Sequence, residues 1–302
     1  MVSNANQTRI QTMFTKTLLS AVSAVVLLGS VGAMAQGFQQ GGVSVGGSLN
    51  QTTNLNANVL SEGVNGGSAK TRIGVVSRSD VGGSLNQSTN INAPVSTRGF
   101  NGGAAEARLG HIEGAQIGGS VNQNTTLNAP VNTAANGQFS FARTDIGVIR
   151  NAKVGGSVTQ STTVQAPVTT SATGFDASAF TDIGKINRAN VGGSVIQNTT
   201  LLAPVNTTAN GDFSFAKTDI GVIREAKVGG SVTQNTVIRS PVNTSATGNF
   251  SSALTELGKI NDADVGGSVN QNTTISAAVT SAASGTGSTG CTTVGLIGKS
   301  DC

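Results

Sequence analysis

Gly118-Gly119-Ser120-Val121-Asn122-Gln123-Asn124-Thr125-Thr126-Leu127-Asn128-Ala129-Pro130-Val131 decides the fold, because the chain writes it seven times. The copies open at Gly46, Gly82, Gly118, Gly155, Gly192, Gly229 and Gly266, at steps of 36, 36, 37, 37, 37 and 37 residues. A fixed period of this size builds stacked units that share one core with their neighbours, not a single globule. Gly-Gly-Ser opens every copy. Three residues on stands Gln51, Gln87, Gln123, Gln160, Gln197, Gln234 or Gln271, and two further on Thr53, Thr89, Thr125, Thr162, Thr199, Thr236 or Thr273. An aliphatic residue, a small residue and Val follow at the same spacing, as in Leu127, Ala129 and Val131. The constrained positions are therefore alternate ones, and period two is the signature of a half-buried strand. Asn122, Asn124, Thr126, Asn128, Pro130 and Asn132 between them vary from copy to copy and form the outer face.

The inward Gln is the informative residue. A buried amide is unfavourable unless all its donors and acceptors are paired. One Gln per unit, stacked on its equivalents above and below, meets that condition as an amide ladder. The inward Thr residues stack as a second ladder beside it. The sequence thus predicts an all-β chain of stacked rungs, a β-solenoid or cross-β-like stack of seven tandem repeats. Its repeats run 46–81, 82–117, 118–154, 155–191, 192–228, 229–265 and 266–302.

Composition agrees. The 302 residues include 41 Gly, no Trp and no Tyr, with aromatics at 3% and charged residues at 11%. So few aromatics would fill a conventional core badly, yet low charge and regular aliphatics argue against disorder. The formal charge of +4 falls to +2 once Arg9 and Lys16 leave with a leader, which excludes a nucleic-acid footprint. That leader is read from Lys16, the apolar run Leu18 to Leu28 and the small-x-small site Ala33-Met34-Ala35. Residues 1–35 are expected to be a signal peptide cleaved after Ala35, with Met13 offering a more compact start. The apolar run is too short to anchor in a membrane. Residues 36–45 form a Gly/Gln-rich lead-in without a cap signal. The expected location is outside the cell or on its surface.

Within each unit a variable arc such as Asn132 to Gly137 follows the first strand, and a second strand region follows the arc. Its centre is Ile-Gly-x-Ile, as in Ile146 to Ile149, with Gly marking a bend. The x position takes Val, His111, Lys185 or Leu and is expected to face solvent. Above the single repeat, 132–160 matches 206–234 and 171–195 matches 245–269, so the central copies alternate in blocks of 74 residues. The last unit carries Cys291 and Cys302, whose spacing in an exported protein predicts a disulfide. Closing that loop would contribute about 3 kcal/mol in the chain-entropy picture. A metal pair or redox thiols are the alternatives, disfavoured by the lone His111 and the lack of Cys-x-x-Cys.

Chemistry-bearing residues are sparse. Asp145, Asp182, Asp219 and Glu256 share one repeat position, with Arg143 and Lys217 two residues earlier. Stacked carboxylates repel, so they are expected in water; a cation-binding row is the alternative. No nucleophile–base pair, phosphate loop or metal-ligand spacing is present, so we expect no enzyme, no catalytic residue, no cofactor and no metal.

Tandem repeats with regularly placed Asn and Gln behind a signal peptide resemble the secreted bacterial functional-amyloid subunits, the curlins and the Fap fibre subunits. The resemblance covers Gly46 to Cys302 as an architecture, without a shared motif. It implies a homopolymer of the chain, an outer-membrane export apparatus and matrix polysaccharide as partners, and a place in biofilm-matrix or surface filaments. The competing reading is a monomeric β-solenoid adhesin whose outer Asn and Thr rows meet carbohydrate or ice. A β-helix carbohydrate enzyme would need clustered acids on one arc.

Overall fold

The structure, a computed structural model, describes residues 43–299. The expected cleavage site after Ala35, most of the lead-in and Cys302 lie outside the described residues. The described chain is a coil of stacked parallel strands with no helix, a β-solenoid of about seven turns. Four sheets run its length. A short sheet of two-residue strands such as Lys153–Val154 leads each turn. A long flat sheet follows, with strands such as Val121–Leu127 and Val158–Val164. A third sheet contains Val131–Asn136 and its equivalents. The fourth is bent: Ala104–Glu113 runs through the bend, and later turns break it into pairs such as Phe141–Ile146 and Ile149–Arg150.

Every pairing is parallel and in register, Gln on Gln and Thr on Thr. The period forces this, because a one-residue slip would turn each apolar row outward. Rung-to-rung contact also explains Gly-Gly-Ser. A Cβ on Gly155 would stand 2.4 Å from the carbonyl oxygen of Gly118 on the turn below. The Ser120 hydroxyl accepts the backbone N–H of Ser157 at 3.1 Å, and the same bond links each serine to the next.

The interior divides into lobes. One is built from Val154, Val158, Ile149, Ala152 and their equivalents, where the short, long and bent sheets meet. A second holds Leu127, Val131, Ile146 and theirs. A third, between the third and bent sheets, is all alanine, as Ala135 and Ala142. Each fully buried Val, Leu or Ile contributes about 1.5–3 kcal/mol, repeated on every turn. The aromatics are absent from all three lobes.

Candidate functional site

Between the first two lobes the bent sheet dips inward until its glycines touch the long sheet. Gly110, Gly147, Gly184 and Gly221 have φ of 56, 58, 56 and 60°, the left-handed region. A Cβ on Gly184 would lie 2.2 Å from Thr199 Oγ1. The Thr199 hydroxyl instead meets the bare glycine, a close approach of the Cα–H···O kind. This pinch is where the ladder residues sit. Gln160 Nε2 donates to Gln123 Oε1 at 2.9 Å and to the Gly147 carbonyl at 2.6 Å. Gln160 Oε1 accepts from Gln197 Nε2 at 2.9 Å. The same pair of bonds recurs from Gln87 to Gln271, always donating toward the first turn. The seven Gln thus form one continuous amide chain across the described turns.

Thr53, Thr89, Thr125, Thr162, Thr199, Thr236 and Thr273 are stacked in register on the same strands. Hydroxyls from Thr89 to Thr273 have no hydrogen-bond partner, so this row packs against glycine and makes no bonded ladder. A bonded threonine chain exists elsewhere, between the third and bent sheets. Thr144 donates to Thr133 at 2.8 Å, Thr170 to Thr144 at 2.7 Å, Thr181 to Thr170 at 2.8 Å and Thr207 to Thr181 at 2.7 Å. It continues through Thr218, Thr244, Thr255 and Ser281 to Thr292. Reading the arc as merely variable hid it, although Thr133, Thr170, Thr207 and Thr244 recur at the 37-residue step.

On its outer side the same pinch makes a concave trough, and here two sequence expectations are corrected. His111, Lys185 and Lys259 at the x position are buried, not solvent-facing. Asp145, Asp182, Asp219 and Glu256 are buried too. Strand parity does place them outward, but the bend folds neighbouring side chains over one another and shuts out water. The carboxylates tolerate stacking because a cation bridges each step. Arg143 spans Asp145 at 2.8 Å and Asp182 at 2.6 Å, helped by Arg150 at 3.1 Å from Asp182. Lys185 spans Asp182 at 3.0 Å and Asp219 at 2.6 Å. Lys217 spans Asp219 at 3.5 Å and Glu256 at 3.1 Å, with Arg224 also on Glu256. Lys259 closes the series on Glu256 at 2.8 Å.

Burial opposes ionisation of Asp182, but Lys185, Arg143 and Arg150 outweigh it and hold the carboxyl well below its usual range. Glu256 is likewise drawn down to about 2, burial being overcome by Lys259 and Lys217. Burial wins at Asp145 and Asp219, which are pushed up despite Arg143 and Lys185. His111 is held well below its usual value by burial and by Arg150, Arg108 and Arg143, so its imidazole is neutral. With cations already in every gap, the acidic row is neutralised by the protein itself. No cluster of metal-ligating side chains occurs among the described residues.

A second surface went unread in the sequence. The turn between the third and bent sheets carries Phe139, Phe175, Phe213 and Phe250, which are 63, 46, 50 and 60% exposed. Their rings touch in series, with centroids 6.2, 5.5 and 5.4 Å apart. Phe141, Phe180 and Phe215 form a half-exposed row beside them. The signal was available: Phe recurs in each turn from the third to the sixth, twice in the third, fourth and fifth.

Cys291 lies on the last strand, Thr289–Val294, opposite Leu254. Compared with family models, curated proteins and solved structures, the chain matches none. Fold and site together define a parallel β-solenoid with an amide-laddered interior.

Proposed function

We propose that the chain is a structural subunit that adds head to tail into filaments. The observation that carries this reading is the complementarity of the two ends. On the first turn Gln51 accepts from Gln87, and among the described residues nothing accepts from its own Nε2. On the last turn Gln271 donates to Gln234 and to the Gly258 carbonyl, and among the described residues nothing donates to its Oε1 or to the Gly295 carbonyl. The first end therefore offers the donor that the last end lacks. Among the described residues Leu49–Leu55 and Val269–Ile275 each pair on one side only, and their inward residues are half-buried or, at Val269, exposed rather than buried. Unpaired strand edges of this kind template strand addition. Because the two edges differ, the contact is heterologous and generates an open filament.

Export by a cleaved leader, release to the cell surface or matrix, and a Cys291–Cys302 bridge over the final turn belong to the same proposal. An outer-membrane export apparatus and matrix polysaccharide are its partners. A second reading has one specific observation in its favour: the outward residues of the long sheet, among them Asn122, Asn124 and Thr126, include no charge. Such a face suits a neutral carbohydrate and a monomeric adhesin.

Negative-stain electron microscopy of the chain diluted from denaturant tests the choice. Unbranched filaments with a fibre reflection near 4.7–4.8 Å are expected, since that is the spacing of paired strands. Discrete short rods at every concentration would overturn the filament reading and leave the adhesin.

A further inference from the structure

We infer that the exposed phenylalanine strip is a lateral seam through which filaments of this chain pair with one another; the inference rests on the filament reading. Four rings, Phe139, Phe175, Phe213 and Phe250, stand in contiguous contact on consecutive turns. Among the described residues no Phe enters an apolar cluster, and these four are set in solvent.

The backbone is strained to do so. Phe139, Phe213 and Phe250 have φ of 58, 59 and 56°, a region that bulky residues avoid and Asn, Asp or Gly accept. At the equivalent position the fourth turn has Asp176 at φ 57° and shifts its Phe one place earlier, to Phe175. The seventh turn has Gly287 at φ 71° and no Phe. The ring is thus kept on every turn from the third to the sixth, even where the turn geometry is better served by its neighbour. Strain held at an exposed apolar residue points to a role at the surface and not in the fold.

The partner follows from size. About half of each ring is exposed, so the strip offers about 100 Å² per ring and about 400 Å² in all. A patch of this size lies in the range that is often functional on single proteins. Two strips pressed together would remove about 800 Å² from water, short of the roughly 1,200 Å² at which specific pairs become stable. One copy would therefore not dimerise alone. A filament presents the strip once per subunit along one side, and the repeated weak contact becomes strong through effective concentration. Two exposed acids, Asp176 and Asp212, stand beside the middle rings, so the apolar contact of like strips is made at the rings themselves.

The test compares the full chain with the variant Phe139→Asn, Phe175→Ser, Phe213→Asn, Phe250→Asn. Asn accepts left-handed φ, so three of the changes relieve strain and the turns keep their shape. Wild-type filaments are expected to lie in pairs or bundles by electron microscopy. The variant should form single filaments of equal length, with the paired fraction at least tenfold lower in sedimentation at equal mass. Wild-type filaments that stay single, or a variant that bundles as the wild type does, would overturn the seam while leaving the filament reading intact. A variant that bundles normally but loses retention on neutral polysaccharide would overturn it in favour of a glycan surface. A wild-type chain that makes no filament removes both.

Discussion

The long flat sheet and the bent sheet obey one alternation of inward and outward residues, yet their outer faces are opposites. The outward positions of the flat sheet carry no charge, and its Asn side chains bond from turn to turn in the open. Asn86 donates to Asn50 at 2.8 Å, and in the row just past the strand ends Asn128 donates to Asn92 at 2.8 Å. The outward positions of the bent sheet hold Asp145, Asp182, Asp219 and Glu256, all buried. The difference is one backbone bend at Gly. A flat face leaves each side chain its own solvent; a concave face makes outward side chains into each other's surroundings. Parity assigns a side, and curvature assigns the dielectric.

The largest effect should come from breaking a charge bridge on the concave side. Lys185→Met leaves Asp182 and Asp219 facing each other without their shared cation, and should destabilise the fold by about 4 kcal/mol. Adding Asp219→Asn should restore a good part of that loss in urea unfolding. If Lys185→Met shifted the midpoint no further than a surface change, the trough would have to be wet and the contrast between the faces would vanish.

The bend itself comes next. Gly184→Ala places a Cβ 2.2 Å from Thr199 Oγ1 at φ 56°. We expect a loss of about 3 kcal/mol from left-handed strain plus overpacking. Gly46→Ala is the control, because a Cβ there meets nothing within 4 Å. Equal midpoints for the two variants would mean that the pinch is not enforced by glycine.

Acid separates the faces in a third way, since the flat sheet has no titratable group to contribute. Glu256 titrates at about 2 in the folded chain against 4.5 when unfolded, so the unfolded chain takes up its proton first as pH falls. Its stabilisation, and that of Asp182, is complete above pH 4.5 and is lost toward pH 2. Asp145 and Asp219 are raised, so the folded chain takes up their protons first and gains stability as pH falls through their range. The unfolding midpoint should hold or rise from neutrality to about pH 4.5 and drop below it. A steady decline beginning near neutrality would show that the raised pair does not offset the lowered one. The smallest effect belongs to the flat face: Asn128→Ala should change stability by no more than about 0.5 kcal/mol.

How much of this could be read beforehand follows the same division. The period, the strand alternation and the Gln positions were legible, because each repeats on a fixed step and parallel register converts a repeat into a contact. The depth of the pinch was not, since nothing in Ile146-Gly147-Val148-Ile149 states how far the backbone dips toward Thr162. His111 and the acids were misplaced for that reason. The bonded threonine chain needed the third and bent sheets to be brought together, and only the coil's closure does that. Ala107 stands where Thr144 stands one turn later, and the bonded chain is interrupted there.

The charge bridges also bear on how such a chain is inherited. The gaps from Asp145 to Asp182 and from Asp219 to Glu256 are closed by flanking cations, Arg143 with Arg150 and Lys217 with Arg224. The gap between them is closed from the centre, by Lys185. Two styles of turn therefore alternate, and a lone extra copy of the flanking style would set Arg directly upon Arg or Lys. The smallest insertion that preserves the alternation is a pair of turns, which is the 74-residue block found in the sequence. Natural variants that lengthen or shorten this molecule should then do so by twos, with lengths falling on a ladder of even steps.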